Sequence, residues 1–218
     1  TSQTVLNKMR QAAQISREQE AYTCILGDLF DSDKEKDISL LNQVIDVFKE
    51  FYHPPLTIIG NHEKTEDVLQ NYNMISVLLG VGLLDAIEDN QVSVQIPIDH
   101  EQETYWVEIG GTNYGSNIPN KVAPRSKKTH YHLWLTHHDL IFQKEYPNAI
   151  ELKWIKGIDL AINGHIHMYQ GQVKVGDTFW LCPGNILRQS IDTKDHEPSV
   201  WLWNPQQQQE EIKLKAIP

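Results

Sequence analysis

The stretch LTIIGNHE (residues 56–63) decides the fold class, because a short apolar run enters a turn of glycine and polar side chains. A short apolar run bounded by turn residues is typical of a fully buried strand. The stretch YTCILGD (residues 22–28) has the same form, and the stretches HYHLWLTHH (130–138) and IDLAINGHIH (158–167) end in histidines. The chain therefore places polar turns at the ends of four predicted strands, which is where α/β folds bind ligands.

Three segments of the first half have the spacing of helices. Residues 4–19, 37–52 and 66–79 carry apolar side chains three or four positions apart, as in a helix that buries one face. Asp37 stands where its side chain can cap the second helix. We therefore expect helices before, between and after the first two predicted strands.

The second half of the chain predicts mainly strands. Residues 92–96 and 105–109 alternate apolar and polar side chains, which is typical of half-buried antiparallel strands. Four more short runs are separated by turn residues and predict an antiparallel meander. These runs are residues 172–175, 178–181, 200–203 and 211–216.

This order of elements predicts the architecture. Strands that alternate with helices, followed by strands alone, indicate an α/β protein in which two mixed sheets pack face to face with helices outside. We expect a four-layer α/β/β/α sandwich. A chain of 218 residues is long enough for one sizeable core, so residues 1–218 are expected to form a single domain.

Composition narrows the class of protein. No apolar run approaches the roughly 20 residues that span a bilayer, and no signal peptide is visible, so a cytoplasmic protein without membrane association is expected. Cys24 and Cys182 lie in separate apolar runs and are expected to be buried, reduced thiols. The net charge of −10 counts against a broad basic surface for nucleic acid. The objection is partial, because bound divalent cations would add positive charge within the site.

The four turns share a chemistry. Each combines a small residue with a carboxylate, an amide oxygen or an imidazole nitrogen, and this mixed set suits Mn, Fe or Zn. Within the four turns, side chains of these kinds are Asp28, Asp31, Asn61, His62, Glu63, His137, His138, His165 and His167. Two cations close together can clamp the attacking and leaving oxygens of a phosphoryl displacement and can acidify a water molecule.

Other histidines are expected to have no role at this site. They fit none of the four turns, and we expect them at the surface or within strands. They are His53, His100, His130, His132 and His196.

The turns resemble, in order, the metal-site motifs of calcineurin-type metallophosphoesterases. They are GDLFD (27–31), GNHE (60–63), THH (136–138) and GHIH (164–167). The resemblance implies the four-layer fold and hydrolysis of a phosphoester by a metal-activated hydroxide. It implies two divalent cations, with Mn expected in preference to Zn or Fe. It makes Asp28 the ligand that bridges the two cations. It assigns the remaining ligands of one cation to Asn61, His137 and His165, and one ligand of the other to His167.

The resemblance also assigns supporting roles. His62 matches the histidine that contacts the phosphate and donates a proton to the leaving group. Asp31 and Glu63 match residues that support the ligands by hydrogen bonds. His137 is preferred over its neighbour His138 as ligand, because the metal histidine comes first in such pairs of the family, and His138 remains the alternative.

One motif of the family has no counterpart in this sequence. The family has an Asp-x-His motif at the end of its first strand, and that motif supplies two ligands to the cation that His167 also binds. No Asp-x-His occurs in the chain, which begins on the predicted helix that should follow that strand. We expect the strand to lie upstream. With this chain alone, Asp28 and His167 are few ligands for a second cation.

A finer resemblance concerns the substrate. The segments 109–116 (IGGTNYGS) and 181–190 (LCPGNILRQS) are similar to the SbcD branch, the nucleases of DNA double-strand-break repair. This implies a DNA phosphodiester as substrate and an SbcC-like ATPase as a partner. Two alternatives remain open. One is a phosphatase or phosphodiesterase for small phosphoesters. The other is a catalytically impaired scaffold with the same fold and a degraded metal site, which would resemble the retromer subunit of the superfamily.

Overall fold

The structure of the protein is a computed structural model. It describes residues 2–32, 36–65, 68–69, 73–100, 103–123, 126, 128–143, 148–188, 195–204 and 210–214. Parts of three predicted segments lie outside the described residues: 66–67 and 70–72 of the third helix, 189–190 of the segment 181–190, and 215–216 of the last strand.

Three helices and fifteen strands are present in the described residues. The helices are α1 Ser2–Glu18, α2 Ile38–Phe48 and α3 Met74–Gly80. The strands are β1 Cys24–Ile25, β2 Leu56–Thr57, β3 Lys64–Thr65, β4 Val68–Leu69, β5 Asp85–Ala86, β6 Gln91–His100, β7 Glu103–Thr112, β8 Tyr131–Thr136, β9 Leu140–Ile141, β10 Ile150–Glu151, β11 Leu160–Asn163, β12 Gly171–Val175, β13 Thr178–Cys182, β14 Ser199–Leu202 and β15 Glu210–Lys213.

The helix starts follow the capping residues. Asp37 caps α2, and its side chain accepts hydrogen bonds from the backbone amides of Ser39 and Leu40, as predicted. The prediction for the third helix was wrong at its start, because β3 and β4 pair there as an antiparallel hairpin. Asn73 caps α3 instead, since its side chain accepts from the Ser76 amide.

Two sheets carry the fold. The smaller contains β1, β2 and β5, all parallel. The larger is mixed, with the order β12-β13-β11-β8-β7-β6. In it β7, β8, β11 and β13 run parallel, while β6 and β12 are antiparallel edge strands. The predicted antiparallel pairing of the middle strands β6 and β7 is therefore confirmed.

The last four strands do not form the predicted meander. β12 and β13 form a hairpin, but β13 then pairs parallel to β11 within the larger sheet. β14 and β15 pair only with each other. Local turn signals identified these strands correctly, but the turn residues do not determine which distant strand becomes the neighbour.

Three cores hold the layers together. Leu56 and Ile58 of the smaller sheet pack against Val107, Leu133 and Leu135 of the larger one, which confirms face-to-face packing of the sheets. The helices cover the outer face of the smaller sheet through residues such as Leu6, Val47 and Leu78.

The outer face of the larger sheet has a different cover. Trp134 and Trp180 are buried there beneath Ile118, Leu140 and Ile155. In the described ranges this cover contains no helix. The α/β class is confirmed, and the three described helices all lie on the side of the smaller sheet. Across the described part of the chain, every helix is too short or too polar to cross a bilayer.

The strand ends bring the predicted motifs together. β8 and β11 end side by side, because Thr136 pairs with Asn163 in their parallel register. The turn after β11 meets the exit of β1, since a side chain added at Gly164 would collide with Leu26. One edge of the two sheets therefore gathers the turns after β1, β2, β8 and β11.

Candidate metal centre

The turn after β1 has a backbone that favours glycine. Gly27 has a φ of +82°, and a Cβ there would lie 2.6 Å from Nδ1 of His137. The next residue, Asp28, also has a positive φ of 52°, which is uncommon for a residue with a side chain. Such strain persists only where the surroundings hold it, and it often marks a functional site.

Glu63 holds this turn in place. Its buried carboxylate accepts hydrogen bonds from the backbone amides of Asp28 at 3.0 Å, Gly60 at 2.7 Å and Leu29. Burial and the nearby Asp28 carboxylate raise the pKa of Glu63, against the three amide hydrogen bonds, which lower it. The supporting role predicted for Glu63 thus has a clear geometry, in which one carboxylate joins the turn after β1 to the turn after β2.

Four of the predicted ligands converge. Nε2 of His137 lies 3.0 Å from Oδ2 of Asp28, 3.2 Å from Oδ1 of Asn61 and 3.0 Å from Nδ1 of His165. One ligand atom from each of Asp28, His137 and His165 lies within 4.8 Å of the others, a group that could hold a metal ion. The four side chains come from four different turns, so only the assembled fold places them together.

The donor atoms fit a divalent cation. Nδ1 of His137 lies 2.6 Å from the backbone carbonyl of Leu26 and donates its proton there, so Nε2, which faces the group, is the nitrogen that would bind a cation after losing its proton. A carboxylate oxygen, an amide oxygen and two imidazole nitrogens form a mixed set that suits Mn, Fe or Zn.

The charge states also fit. Burial would raise the pKa of Asp28, but the hydrogen bond and charge of His137, with smaller contributions from His62, lower it below its usual value. Burial, followed by the nearby His137, lowers the pKa of His165. Both side chains therefore adopt the deprotonated forms that metal binding requires at neutral pH.

His62 lies beside the group, and one of its ring nitrogens is hydrogen-bonded to the backbone of Asp31. Its Nδ1 lies 2.7 Å from the backbone carbonyl of Asp31, and its Nε2 lies 3.9 Å from Oδ2 of Asp28. The hydrogen bond to Asp31 raises the pKa of His62, burial opposes it, and the carboxylates of Asp28, Asp31 and Glu63 raise it further. His62 is thus a half-exposed imidazole whose free nitrogen is next to the candidate ligands.

Asp31 acts through its backbone more than through its carboxylate. The carboxylate is 94% exposed, and its Oδ1 lies 3.8 Å from Nδ1 of His62, beyond hydrogen-bond distance. The support predicted for Asp31 therefore reaches His62 through the carbonyl group.

His138 and His167 lie outside the converging group. Nε2 of His138 lies 2.8 Å from the backbone carbonyl of Ser116, away from the ligand group, while its buried Nδ1 has no hydrogen-bond partner. His167 is close enough to be affected electrostatically: burial lowers its pKa, Asp28 raises it, and His137 and His62 lower it. Of the two, His167 is the one whose pKa responds to the Asp28 carboxylate.

Sequence reasoning missed two side chains near the group, Asp139 and Tyr114. Oδ1 of Asp139 lies 3.1 Å from Nε2 of His165. The Tyr114 ring lies 5.5 Å from the His165 ring and 6.2 Å from the His137 ring. Elsewhere, His196 was expected at the surface or in a strand, but it is buried in the irregular residues before β14, with Nε2 against the Asn185 carbonyl. The resemblance of the segment 109–116 concerned the substrate alone, and nothing in the local sequence indicates that Tyr114 faces the histidines.

Comparison with known families agrees with this geometry. The calcineurin-like phosphoesterase family model matches residues 3–169. The chain belongs to the calcineurin-like phosphoesterase family. The match includes every predicted ligand from Asp28 to His167, whereas the segment 181–190 lies beyond it. A comparison with curated proteins found no match.

Membership of the calcineurin-like phosphoesterase family sets the coarse activity and cofactor class. The family hydrolyses phosphoesters with divalent metals, and a possible metal-binding group is present at Asp28, His137 and His165. The predictions of a hydrolase, of metal binding and of the superfamily are confirmed at this level.

Proposed function

We propose that the protein is a metal-dependent DNA phosphodiesterase, a nuclease of the SbcD double-strand-break repair type. Asp28, Asn61, His137 and His165 hold one divalent cation, with manganese as the expected metal. Asp28 and His167 contribute to a second. The observation that carries the proposal is the convergence of Asp28, Asn61 and His165 within 3.2 Å of Nε2 of His137, with His62 beside them.

Bound cations would supply positive charge for the phosphoryl oxygens and would lower the pKa of a nucleophilic water. The chain's own residues do the rest. Glu63 fixes the Asp28 turn through three amide hydrogen bonds, so the carboxylate does not have to reorganise during the reaction.

His62 handles the proton at the leaving group. As the water oxygen bonds to phosphorus and the P–O bond to the leaving group breaks, the departing oxygen needs a proton. Nε2 of His62 donates it, since Nδ1 is occupied by the Asp31 carbonyl. The ring is 41% exposed, so bulk water returns the proton after each turnover.

The choice of DNA rests on two segments. Residues 109–116 and 181–190 resemble those of the SbcD nucleases. The first segment contains Tyr114, whose ring lies over His165 and forms a wall of the candidate site. Asn113 ties the same wall to the exit of β2, because its Oδ1 accepts from the Ile59 amide at 2.8 Å. By the same resemblance we propose an SbcC-like ATPase as partner.

The direct test compares three classes of substrate with Mn²⁺: DNA (plasmid and linear), a bis-aryl phosphate and an aryl phosphate. Cleavage of DNA and of the bis-aryl phosphate, with little action on the aryl phosphate, would support the proposal. The variant His137→Ala should abolish all cleavage, whereas Asp177→Ala, at an exposed turn remote in sequence from every ligand, is the matched control. If no nucleic acid is cleaved while the aryl ester is, the nuclease assignment is wrong.

A small phosphoester is the second candidate, and the net charge of −10 favours it. A largely acidic surface repels the DNA backbone, so DNA binding would depend on the bound cations. DNA cleavage that persists with only a weak dependence on salt would count against this candidate, whereas preference for the aryl phosphate would support it.

An impaired scaffold is the third candidate, motivated by the absent Asp-x-His motif. A scaffold has no need of the converging ligands or of a histidine placed as His62 is. Metal analysis separates the scaffold from a metal-dependent hydrolase: fewer than one Mn or Zn bound per chain would favour the scaffold.

A further inference from the structure

Asp139 lies at the far side of the His165 ring from the proposed cation. Its Oδ1 is 3.1 Å from Nε2 of His165, while Nδ1 of the same ring is 3.0 Å from Nε2 of His137. None of the four motifs contains Asp139, which immediately follows the THH turn in the sequence.

The two contacts of His165 make opposite demands on its proton. A neutral imidazole has one proton, on Nδ1 or on Nε2. With the proton on Nδ1, the ring would donate to His137 and turn a lone pair towards the Asp139 carboxylate. With the proton on Nε2, the ring donates to Asp139 and directs its Nδ1 lone pair at His137 and Asp28.

The tautomer with the proton on Nδ1 would place that proton against Nε2 of His137. The Nδ1 proton of His137 is donated to the Leu26 carbonyl at 2.6 Å, and when Nε2 of His137 has no proton, as metal binding requires, its lone pair can accept the Nδ1 proton of His165. That hydrogen bond would fill the position where ligand atoms must converge. The Asp139 carboxylate only accepts hydrogen bonds, and therefore it favours the proton on Nε2 of His165 and the open arrangement at Nδ1.

We propose that Asp139 is a positioning residue that keeps the proton of neutral His165 on Nε2, so that Nδ1 is free to bind a divalent cation. The metal-binding part of the proposal rests on the proposed function. The tautomer part does not, because it concerns the metal-free protein.

The backbone of Asp139 is fixed where this role needs it. Its carbonyl accepts the amide of Ile150 at 2.9 Å, at the start of the β9–β10 pairing. The two residues before it, His137 and His138, are buried. Asp139 thus presents its side chain from an anchored segment, although the side chain itself is 39% exposed.

The first measurement is the tautomer of His165 in metal-free protein, by nitrogen chemical shifts of the imidazole ring at pH 8. Wild type and the control Asp177→Ala should show a protonated Nε2 and an unprotonated Nδ1. Asp139→Ala should shift the population towards the Nδ1-protonated form. Asp139→Asn should lie between them, because an amide can either accept or donate. The substitution keeps the size of the side chain, so the test survives if the alanine variant does not fold.

The second measurement is Mn²⁺ and Zn²⁺ affinity by calorimetry on the same four proteins. Loss of a hydrogen-bonding partner behind a metal ligand weakens binding by about 10- to 100-fold, which is the loss expected for Asp139→Ala. An unchanged tautomer in both Asp139 variants would overturn the proposal. If wild type binds neither metal but the tautomer shifts as expected, the positioning role stands and the proposed function fails.

Discussion

The carboxylate of Glu63 accepts the backbone amide of Asp28 at 3.0 Å, although 35 positions separate the two residues in the chain. The same carboxylate accepts the amides of Gly60 and Leu29. The Glu63 side chain therefore contributes both to the stability of the fold and to the position of the principal candidate ligand.

Replacing Glu63 by Ala leaves three amides near the core without their acceptor. Each buried, unsatisfied group costs about 1–3 kcal/mol, so the free energy of unfolding should fall by about 3–5 kcal/mol, part of the sum being recovered by water. Urea unfolding of metal-free protein measures it. Glu151→Ala, at an exposed position in β10, is the matched control and should change stability by less than about 0.5 kcal/mol. A decrease in the free energy of unfolding below about 1 kcal/mol for Glu63→Ala would contradict the role of this carboxylate in holding the two turns together.

His62→Gln should separate chemistry from metal binding. The side chain lies beside the ligand group but outside it, with Nε2 3.9 Å from Asp28. Loss of a general acid lowers kcat by about 10²- to 10⁴-fold, while the Mn²⁺ dissociation constant should stay within about threefold of wild type. Hydrolysis of a bis-aryl phosphate and calorimetry measure the two quantities. A parallel loss of metal affinity and activity would instead place His62 among the ligands.

The pH dependence of stability should report on His62 in metal-free protein. Its pKa is raised by the Asp31 carbonyl and the neighbouring carboxylates. A raised pKa contributes stability that is complete below the unfolded value of about 6.5 and is lost as the pH rises through the folded value. The stability gap between wild type and His62→Gln should therefore be larger at pH 5.5 than at pH 9. Solvent screens a ring that is 41% exposed, so the gap is expected to be small.

The candidate site was predictable because each ligand follows a buried strand. Gly60 and Asn61 follow β2, and His137 follows β8, so short apolar runs were enough to locate the candidate ligands. The residue identities then limited the chemistry. Asp139 could not be found in this way, because its contact with His165 depends on the parallel register of β8 and β11.

The fold was predictable where side chains close to each other in sequence determine the backbone. Asp37 caps its helix through amides two and three residues ahead. The start of α3 was missed because Asn73, the capping residue, also donates to the distant carbonyl of Glu63. The pairing of β13 with β11 was missed for the same reason, since it depends on contacts between distant strands.

The two cysteines should react slowly in the native protein. Cys182 is buried and Cys24 is partly buried, not fully buried as predicted, and desolvation raises the pKa of both thiols to about 12. The thiolate is the reactive form, so its population at pH 8 is on the order of a thousandfold below that of an ordinary thiol. Labelling with an aromatic disulfide should find two thiols per chain in guanidine and almost none in buffer over the same minutes. The variants Cys24→Ser and Cys182→Ser should each show one thiol per chain in guanidine. Rapid labelling of Cys182 in the native protein would contradict its burial.

Metal titration should show one tight site in this chain. Asp28, Asn61, His137 and His165 converge, whereas His167 has only the shared Asp28 near it among the described ligands. Tight binding depends on the number of ligands, so a second cation should bind far more weakly.

Two histidine variants distinguish the sites. His137→Ala should remove the tight site, because Nε2 of this ring is the atom around which the other three ligands gather. His167→Ala should leave it intact. His130→Ala, at an exposed position, controls for adventitious binding by surface imidazole. Mass spectrometry of metal content after gel filtration measures all four proteins. The expectation of one tight site would be contradicted if wild type bound two cations with equal affinity and His167→Ala lost one of them. That result would show that His167 and the other residues of this chain complete the second site.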